Sequence, residues 1–256
     1  MNAAMPRRIW LTGASSGIGA ALAEELLKSG AQVAVSARSR EPLEALSQRY
    51  PGRVLVVPGD LTDALQVREI GKRIAQAWGA LDSAILNAGA CEYIDVRQFE
   101  AAMIERVLSS NLLSASYCIE AALPLLRAGN RPHLVGVASS VTYLPLPRAG
   151  AYGASKAALR YLLQSLRIDL AAEGIDVTLV SPGFVDTPLT AHNDFPMPMS
   201  WPADKAARHI HTRLPHRDLE IAFPTPFIFG LRFLAWLPGR LQLAIAKRLA
   251  RTGDAS

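Results

Sequence analysis

Residues 8–19 read Arg-Ile-Trp-Leu-Thr-Gly-Ala-Ser-Ser-Gly-Ile-Gly, an apolar run followed by a glycine-rich turn. The run predicts a short buried strand, and residues 20–29 predict a helix because their apolar side chains recur at helical spacing. Gly13, Gly17 and Gly19 lie between the two. Glycines there let the backbone turn tightly and approach a pyrophosphate, which N–H groups at the helix N-terminus can bind. An ordinary glycine turn is the alternative interpretation.

Strands and helices continue to alternate along the rest of the chain. Further strands are predicted at residues 31–38, 54–61, 81–86, 134–140 and 176–180. This alternation indicates an α/β fold, a Rossmann-like doubly wound parallel β-sheet flanked by helices, with a C-terminal helical extension. We expect a dinucleotide-binding and catalytic core in residues 1–190. Residues 191–256 are expected to add a substrate lid and amphipathic helices to the same domain.

Two of the predicted strands end where the adenosine half of a dinucleotide would bind. The second strand ends without the acidic residue that would bind a ribose 2′-hydroxyl, and Arg38 follows, with Arg40 beyond it. A guanidinium suits a phosphate dianion, so the sequence favours NADP(H) over NAD(H); a solvated arginine is the alternative. The third strand ends at Asp60-Leu61, where the Asp60 carboxylate is placed either to accept from an adenine amino group or to cap the next helix.

Tyr152 and Lys156 are four residues apart in a stretch rich in helix formers, so they are expected on one helix face. An ammonium about 4 Å from a phenol attracts the phenolate by about 4 kcal/mol at an effective dielectric of about 20. That attraction would lower the tyrosine pKa by about three units, towards neutral pH. Such a phenol can give a proton to a carbonyl oxygen or take one from an alcohol.

Together these motifs resemble the short-chain dehydrogenase/reductase family over roughly residues 7–190. The matching motifs are its cofactor loop (Gly13, Ser15, Ser16, Gly17, Ile18, Gly19), its strand-end motif (Asn87, Ala88, Gly89), its helix asparagine (Asn111), its active-site pair (Tyr152, Lys156) and its nicotinamide-side loop (Pro182, Gly183, Val185, Thr187). The resemblance implies that Tyr152 is the general acid/base and that Lys156 lowers its pKa and binds the nicotinamide ribose. It further implies that Asn111 holds a water for proton relay.

The resemblance also implies a serine that orients the carbonyl, and two adjacent serines are available. The second serine of such a pair is the usual one in the family, which favours Ser140. The usual spacing from serine to tyrosine is thirteen, which Ser139 satisfies, whereas Ser140 lies twelve residues before Tyr152. We prefer Ser140, and a loop that is one residue shorter than usual would explain its spacing of twelve residues from Tyr152.

Composition limits the remaining possibilities. The net charge is +5, and the only cysteines, Cys91 and Cys118, have no metal-like spacing, which fits reduced thiols in the cytoplasm. Basic clusters interleaved with aromatic residues are absent, so no nucleic-acid partner is expected. The first apolar run leads directly into the glycine turn, which leaves no room for a signal peptide. No metal is expected, since His209, His211 and His216 lack a carboxylate or cysteine partner.

The last fifth of the chain carries the whole positive excess. Residues 190–202 predict a mobile lid, and residues 227–237 form an apolar run that is too short to cross a bilayer. From Arg240, basic residues recur on one predicted helix face, opposite Leu241 and Ile245. Residues 227–251 therefore suit a membrane interface, which would favour a hydrophobic or lipid-like substrate; packing onto the domain or across a dimer is the alternative.

The sequence thus predicts an NADP(H)-dependent oxidoreductase that interconverts a small-molecule carbonyl and an alcohol. The family resemblance further implies a homo-oligomer, a dimer or tetramer. A redox-sensing module that binds NADP(H) without turnover is the alternative. The presence of all four active-site residues, Asn111, Ser140, Tyr152 and Lys156, argues against it.

Overall fold

A parallel sheet forms the centre of the molecule. The computed structural model describes residues 7–191, 193 and 195–251, with side chains as far as Lys247. The main sheet has the order β3-β2-β1-β4-β5-β6-β9, and every neighbouring pair in it is parallel. Its strands are β1 (Arg8–Thr12), β2 (Gln32–Ser36), β3 (Val54–Val56), β4 (Ser83–Leu86), β5 (His133–Val137), β6 (Asp176–Pro182) and β9 (Glu220–Phe223). The short strands β7 (Val185–Asp186) and β8 (Trp201–Pro202) pair separately.

Helices cover both faces of this sheet. They are α1 (Gly17–Lys28), α2 (Glu41–Arg49), α3 (Ala64–Trp78), α4 (Ala101–Leu108), α5 (Ser114–Arg127), α6 (Gly150–Ala171), α7 (Ala203–Arg213), α8 (Thr225–Trp236) and α9 (Gly239–Arg251). A π-helical turn at Ser109–Leu113 joins α4 to α5. The Rossmann-like, doubly wound α/β architecture expected from the sequence is confirmed.

Burial on both faces explains why the strands are almost continuously apolar. Neighbouring residues of β1 point to opposite sides, so Trp10 packs into one core and Leu11 into the other, both with no exposed surface. The Trp10 indole N–H is still satisfied, since it donates to the Ser36 hydroxyl at 2.9 Å. Each face of the sheet therefore carries its own hydrophobic core.

The strand order places a crevice at the carboxyl ends of β1 and β4. The chain winds from β1 outward to β2 and β3, and then returns to build β4, β5 and β6 on the other side. At such a reversal the crossover connections diverge and leave a gap above the strand ends. The turns that follow β1 and β4 border this gap, and they carry two of the predicted site motifs.

Several elements differ from the sequence-based expectation. The strand β9 was not predicted; it is four residues long and extends the sheet by pairing with β6, a contact that joins residues distant in sequence. The chain does not form one uninterrupted α-helix before α5, since α4 ends at Leu108 and the π-helical turn follows. The predicted lid, residues 190–202, belongs to a loop whose two ends are joined, because Val185 pairs with Trp201 in the β7–β8 ladder.

Candidate active site

A cleft of about 870 Å³ opens at the carboxyl ends of the strands. Its volume falls within the range of small-molecule and cofactor sites. Most of the predicted site residues line it, namely Gly13, Ser15, Ser16, Gly17, Ile18, Arg38, Asp60, Leu61, Asn87, Ala88, Gly89, Tyr152, Lys156, Pro182, Gly183, Val185 and Thr187. Gly19, Asn111 and Ser140 are not among the described residues of its wall. The fold thus gathers segments from six parts of the chain around one cavity.

The glycine turn is shaped by close backbone packing. Gly13 has φ +67°, and a Cβ atom there would lie 2.8 Å from the Ala88 Cα. A Cβ on Gly19 would overlap the carbonyl oxygen of Gly13. Gly19 therefore allows the turn to pack closely, although it does not line the cleft. The Asn87 side-chain amide ties the two loops together by donating to the carbonyl oxygens of Thr12 (3.2 Å) and Gly13 (3.1 Å).

The N-terminus of α1 is open towards the cleft. Its N-cap is Ser16, and no described side chain caps the first N–H groups of the helix. The first turn also carries no acidic residue. Free N–H groups and the positive end of the helix dipole together favour an anion at this point. The residues present therefore fit the pyrophosphate of a dinucleotide.

Arg38 and Asp60 lie at the adenosine end of the cleft. Arg38 is exposed and makes no hydrogen bond or ion pair with any described residue, whereas Arg40 pairs with Glu44 at 2.6 Å. The Asp60 carboxylate accepts from the backbone N–H of Thr62 at 2.9 Å. The cap of α3 is a different residue, Asp63, so the helix-cap alternative for Asp60 is wrong.

Tyr152 and Lys156 lie one turn apart on α6, as predicted, but their electrostatics differ from the expectation. The Lys156 Nζ donates to the Val137 carbonyl oxygen at 2.8 Å and lies 5.9 Å from the centroid of the Tyr152 ring. Burial raises the pKa of Tyr152 to about 12 and lowers that of Lys156 to about 8. The expected fall in the tyrosine pKa is therefore wrong for this geometry, because desolvation of the phenolate outweighs a distant ammonium.

The two adjacent serines have different surroundings. Burial raises the pKa of the Tyr152 phenol, and the side chain of Ser139, a residue that lines the cleft, opposes that rise. Ser140 is buried, with 6% of its surface exposed, at the start of a 3₁₀ turn. The geometry favours Ser139 over Ser140, the reverse of the sequence-based preference. The spacing of thirteen residues to Tyr152 also belongs to Ser139.

Asn111 lies behind the cleft in the π-helical turn, fully buried. Its Oδ1 accepts from the Ala90 N–H at 2.7 Å, and its Nδ2 donates to the Ala90 carbonyl at 2.9 Å and to the Ser155 hydroxyl at 2.8 Å. Ser155 in turn donates to the Tyr152 carbonyl oxygen at 2.7 Å. Asn111 is thus connected to the backbone of Tyr152 through Ser155, a residue that the sequence analysis missed.

Four aromatic rings form a cluster outside the described wall of the cleft. Tyr93 contacts Phe195 with ring centroids 5.4 Å apart, and Phe184 contacts both Phe195 (6.1 Å) and Phe227 (5.5 Å). Phe184 lies between the cleft-wall residues Gly183 and Val185 in the chain, so the cluster adjoins the cleft. No local sequence motif predicts this cluster, because its members come from three distant segments.

A protein-family model described as short chain dehydrogenase matches residues 7–195, well over half of the chain. The chain belongs to the short-chain dehydrogenase family. This short-chain dehydrogenase is an NAD(P)-dependent oxidoreductase. It is 34% identical over 246 residues to an uncharacterized oxidoreductase of Myxococcus xanthus, an alignment that covers 95% of this chain and 97% of the relative. It is 35% identical over 182 residues to an uncharacterized oxidoreductase of Staphylococcus aureus, covering 71% and 79%.

Solved structures of the same fold include two dehydrogenases. A short-chain dehydrogenase from Streptomyces avermitilis superposes with a TM-score of 0.81 at 23% identity, covering 97% of this chain and 99% of that one. An alcohol dehydrogenase from the archaeon Thermococcus sibiricus, complexed with 5-hydroxy-NADP, superposes with a TM-score of 0.77 at 25% identity, covering 85% and 95%. The dehydrogenase fold therefore extends through the C-terminal part of this chain.

Proposed function

We propose that this short-chain dehydrogenase interconverts a carbonyl and an alcohol with NADP(H), using Tyr152 as general acid/base. The observation that carries the proposal is that Ser139, Tyr152 and Lys156 all line one cleft, with Tyr152 and Lys156 one turn apart on α6. When bound, the cofactor supplies or accepts a hydride at the substrate carbon. At pH 7 a phenol with a pKa of about 12 is protonated, so Tyr152 is ready to donate its proton to the carbonyl oxygen.

The other polar groups support this proton transfer. Ser139 donates a second hydrogen bond to the substrate oxygen and stabilises the charge that develops there. The Lys156 ammonium donates to the Val137 carbonyl oxygen and binds the nicotinamide ribose. Its positive charge stabilises negative charge that develops in the site. Asn111 orients α6 through Ser155 and holds the proton-relay water. Ser140 has no place in this assignment.

The proposed cofactor cradle uses the remaining cleft residues. The open N-terminus of α1 binds the pyrophosphate beside Ser15, Ser16, Gly17 and Ile18. Asp60 and Leu61 border the adenine, while Asn87, Ala88 and Gly89 support the ribose from the end of β4. Pro182, Gly183, Val185 and Thr187 line the nicotinamide side.

NADP(H) is proposed over NAD(H) because Arg38 offers an unpaired guanidinium at the adenosine end. The complex of the Thermococcus sibiricus alcohol dehydrogenase with 5-hydroxy-NADP is consistent with this choice. Arg38→Ala is expected to raise the KM for NADPH by about ten- to hundredfold, since a hydrogen bond to a charged group contributes about 1.5–3 kcal/mol. The KM for NADH should stay unchanged. Steady-state kinetics with both cofactors measure the effect.

Arg40→Ala is the matched control, because Arg40 is equally basic but already paired with Glu44. We expect that variant to keep the wild-type KM for both cofactors. An unmodified enzyme that binds NADH at least as tightly as NADPH would show the cofactor assignment to be wrong.

The substrate is proposed to be hydrophobic, because the ring cluster of Tyr93, Phe184 and Phe195 adjoins the cleft at Phe184, which follows a residue of the cleft wall. NADPH oxidation measured against ketones and aldehydes graded from short and polar to long-chain and sterol-like is expected to give a kcat/KM that rises with apolar length. Each added buried methylene contributes about 0.8 kcal/mol until the pocket is filled. Activity confined to small polar carbonyls would contradict this substrate class.

The proposed working form is a cytoplasmic homo-oligomer, a dimer or tetramer, that touches a membrane surface through residues 227–251. The redox-sensing alternative is disfavoured by an intact set of proton-transfer groups beside the cofactor cradle. A sensor would need no such arrangement of Ser139, Tyr152 and Lys156.

A further inference from the structure

The outer face of α8 exposes a row of aromatic side chains. Phe229, Phe233 and Trp236 are spaced four and three residues apart, so they share one face of the helix. Their exposed fractions are 73%, 54% and 83%. The opposite face packs normally, with Ile228 and Leu231 buried. We call Phe229, Phe233 and Trp236 the aromatic row.

Large apolar side chains continue onto α9, together with positive charge. Leu241 and Leu243 are 47% and 56% exposed. Arg240 and Lys247 are exposed on the same helix. No aspartate or glutamate occurs between residues 221 and 253. Exposed aromatic and aliphatic groups among cations, without any anion, are complementary to the surface of an anionic membrane.

The polar side of α8 is attached firmly to the catalytic core. Arg232 donates to the Glu220 carboxylate at 2.8 Å, and its guanidinium lies 4.8 Å from the centroid of the Tyr143 ring. Arg160 of α6 donates to the same carboxylate at 2.5 Å. Burial opposes ionisation of Glu220, but hydrogen bonds from Arg160, Ser181 and Tyr143 hold its pKa down at about 2. Arg232 thus fixes α8 to the core beside the aromatic row, which stays exposed.

The N-terminal end of α8 adjoins the active-site cleft. The Phe227 ring packs against Phe184, and its Cδ1 would lie 2.9 Å from a Cβ atom at Gly183, a residue of the cleft wall. The loop that follows Ser140 contacts α8 and α9 as well, since Leu144 and Pro147 share a small apolar cavity with Leu234 and Ile245. A surface that covers the aromatic row thus lies beside the cleft.

We propose that α8 and α9 lie in the interface of an anionic lipid bilayer and turn the cleft entrance towards substrates dissolved in that bilayer. The inference rests on the proposed carbonyl/alcohol activity and specifies where its substrate comes from. Among the described residues no helix has both the length and the apolar character needed to cross a bilayer. The proposed contact of α8 and α9 is therefore with the membrane surface. A second copy of the chain is the competing occupant, but the uncompensated cations on α9 would repel their own copies there.

The test is co-sedimentation of the full chain with vesicles of phosphatidylcholine, with and without phosphatidylglycerol, at low and high salt. We expect binding to the anionic vesicles that weakens as salt screens the cations. Replacing the aromatic row (F229S, F233S, W236S) should lower the affinity at least about tenfold, because the three rings no longer bury apolar surface in the bilayer. The control L65S, V96S, Y161S removes three equally exposed apolar groups elsewhere and should bind as the wild type does.

Two results would overturn the proposal. One is the absence of binding to anionic vesicles at low salt; the other is equal binding by the wild type and the aromatic-row variant. If the variant instead changes the oligomeric state in light scattering and vesicles remain unbound, the face is an interface between copies. Turnover of a short water-soluble carbonyl should be the same in all these variants. A protein that binds vesicles but turns over no carbonyl would contradict the proposed function alone.

Discussion

Replacing Tyr152 by Phe is expected to lower carbonyl reduction by about a thousandfold, the middle of the range that a positioned general acid contributes. The change removes only the phenol oxygen, so the ring keeps its place beside Lys156. Because the cofactor cradle is built from other segments, the Kd for NADPH should stay close to the wild-type value. Single-turnover NADPH oxidation and a fluorescence titration of NADPH measure the two effects separately.

Tyr161→Phe is the control for this substitution. Tyr161 lies on the same helix, two and a half turns away, with 75% of its surface exposed, and its loss should leave turnover unchanged. If Tyr152→Phe keeps more than a tenth of the activity, the proton comes from another donor, such as water in the cleft. A redox-sensing module would show no turnover in either protein, so the pair of measurements also separates the two functional hypotheses.

Ser139→Ala is expected to lower kcat/KM by about a hundredfold, because the loss of one preorganised donor to a developing oxyanion costs about 10²–10³ in rate. The hydroxyl also accepts from the Val141 N–H at 3.2 Å, so some stability, about 1 kcal/mol, should be lost with it. Steady-state kinetics and thermal unfolding on the same preparation distinguish these effects. The loss of rate should greatly exceed the loss of stability.

Ser140→Ala is the matched comparison, since it makes the same chemical change one residue away. Ser140 is buried at the start of the 3₁₀ turn and is not part of the described cleft wall, so near-normal turnover is expected. The opposite outcome, in which Ser140→Ala is inactive and Ser139→Ala is active, would restore the assignment that the sequence alone preferred. Equal losses would mean that the 3₁₀ turn, and not one hydroxyl, positions the oxygen.

Much of the fold could be predicted because its signals are local. A buried strand shows as an apolar run, a glycine turn as glycines at fixed spacing, and an amphipathic helix as a repeat of 3.6 residues. The strand β1, the turn at Gly13–Gly19 and the helices α8 and α9 were all predicted from such patterns. The strand β9 was missed, because four residues at Glu220–Phe223 become a strand only through pairing with β6.

The predicted site residues also divide into those with a local sequence signal and those whose role depends on the tertiary structure. Those in contiguous motifs, such as Asn87-Ala88-Gly89, line the cleft because parallel strands bring their carboxyl ends to one edge of the sheet. The choice between Ser139 and Ser140 depends on which way each side chain points after β5, a detail that two adjacent identical residues do not reveal. The aromatic cluster that adjoins the cleft joins three distant segments of the chain, so no window of sequence contains it.

The sequence by itself determined the order of strands and helices, the dinucleotide-type turn and the spacing of Tyr152 from Lys156, because each depends on neighbours within a few turns of chain. Only the tertiary structure decided the pKa values of this pair, since desolvation is a property of the surrounding atoms and raises the Tyr152 pKa to about 12. It also decided which apolar residues stay exposed. The periodicity of α8 predicts apolar faces, but burial of Ile228 and exposure of Trp236 follow from where the core lies.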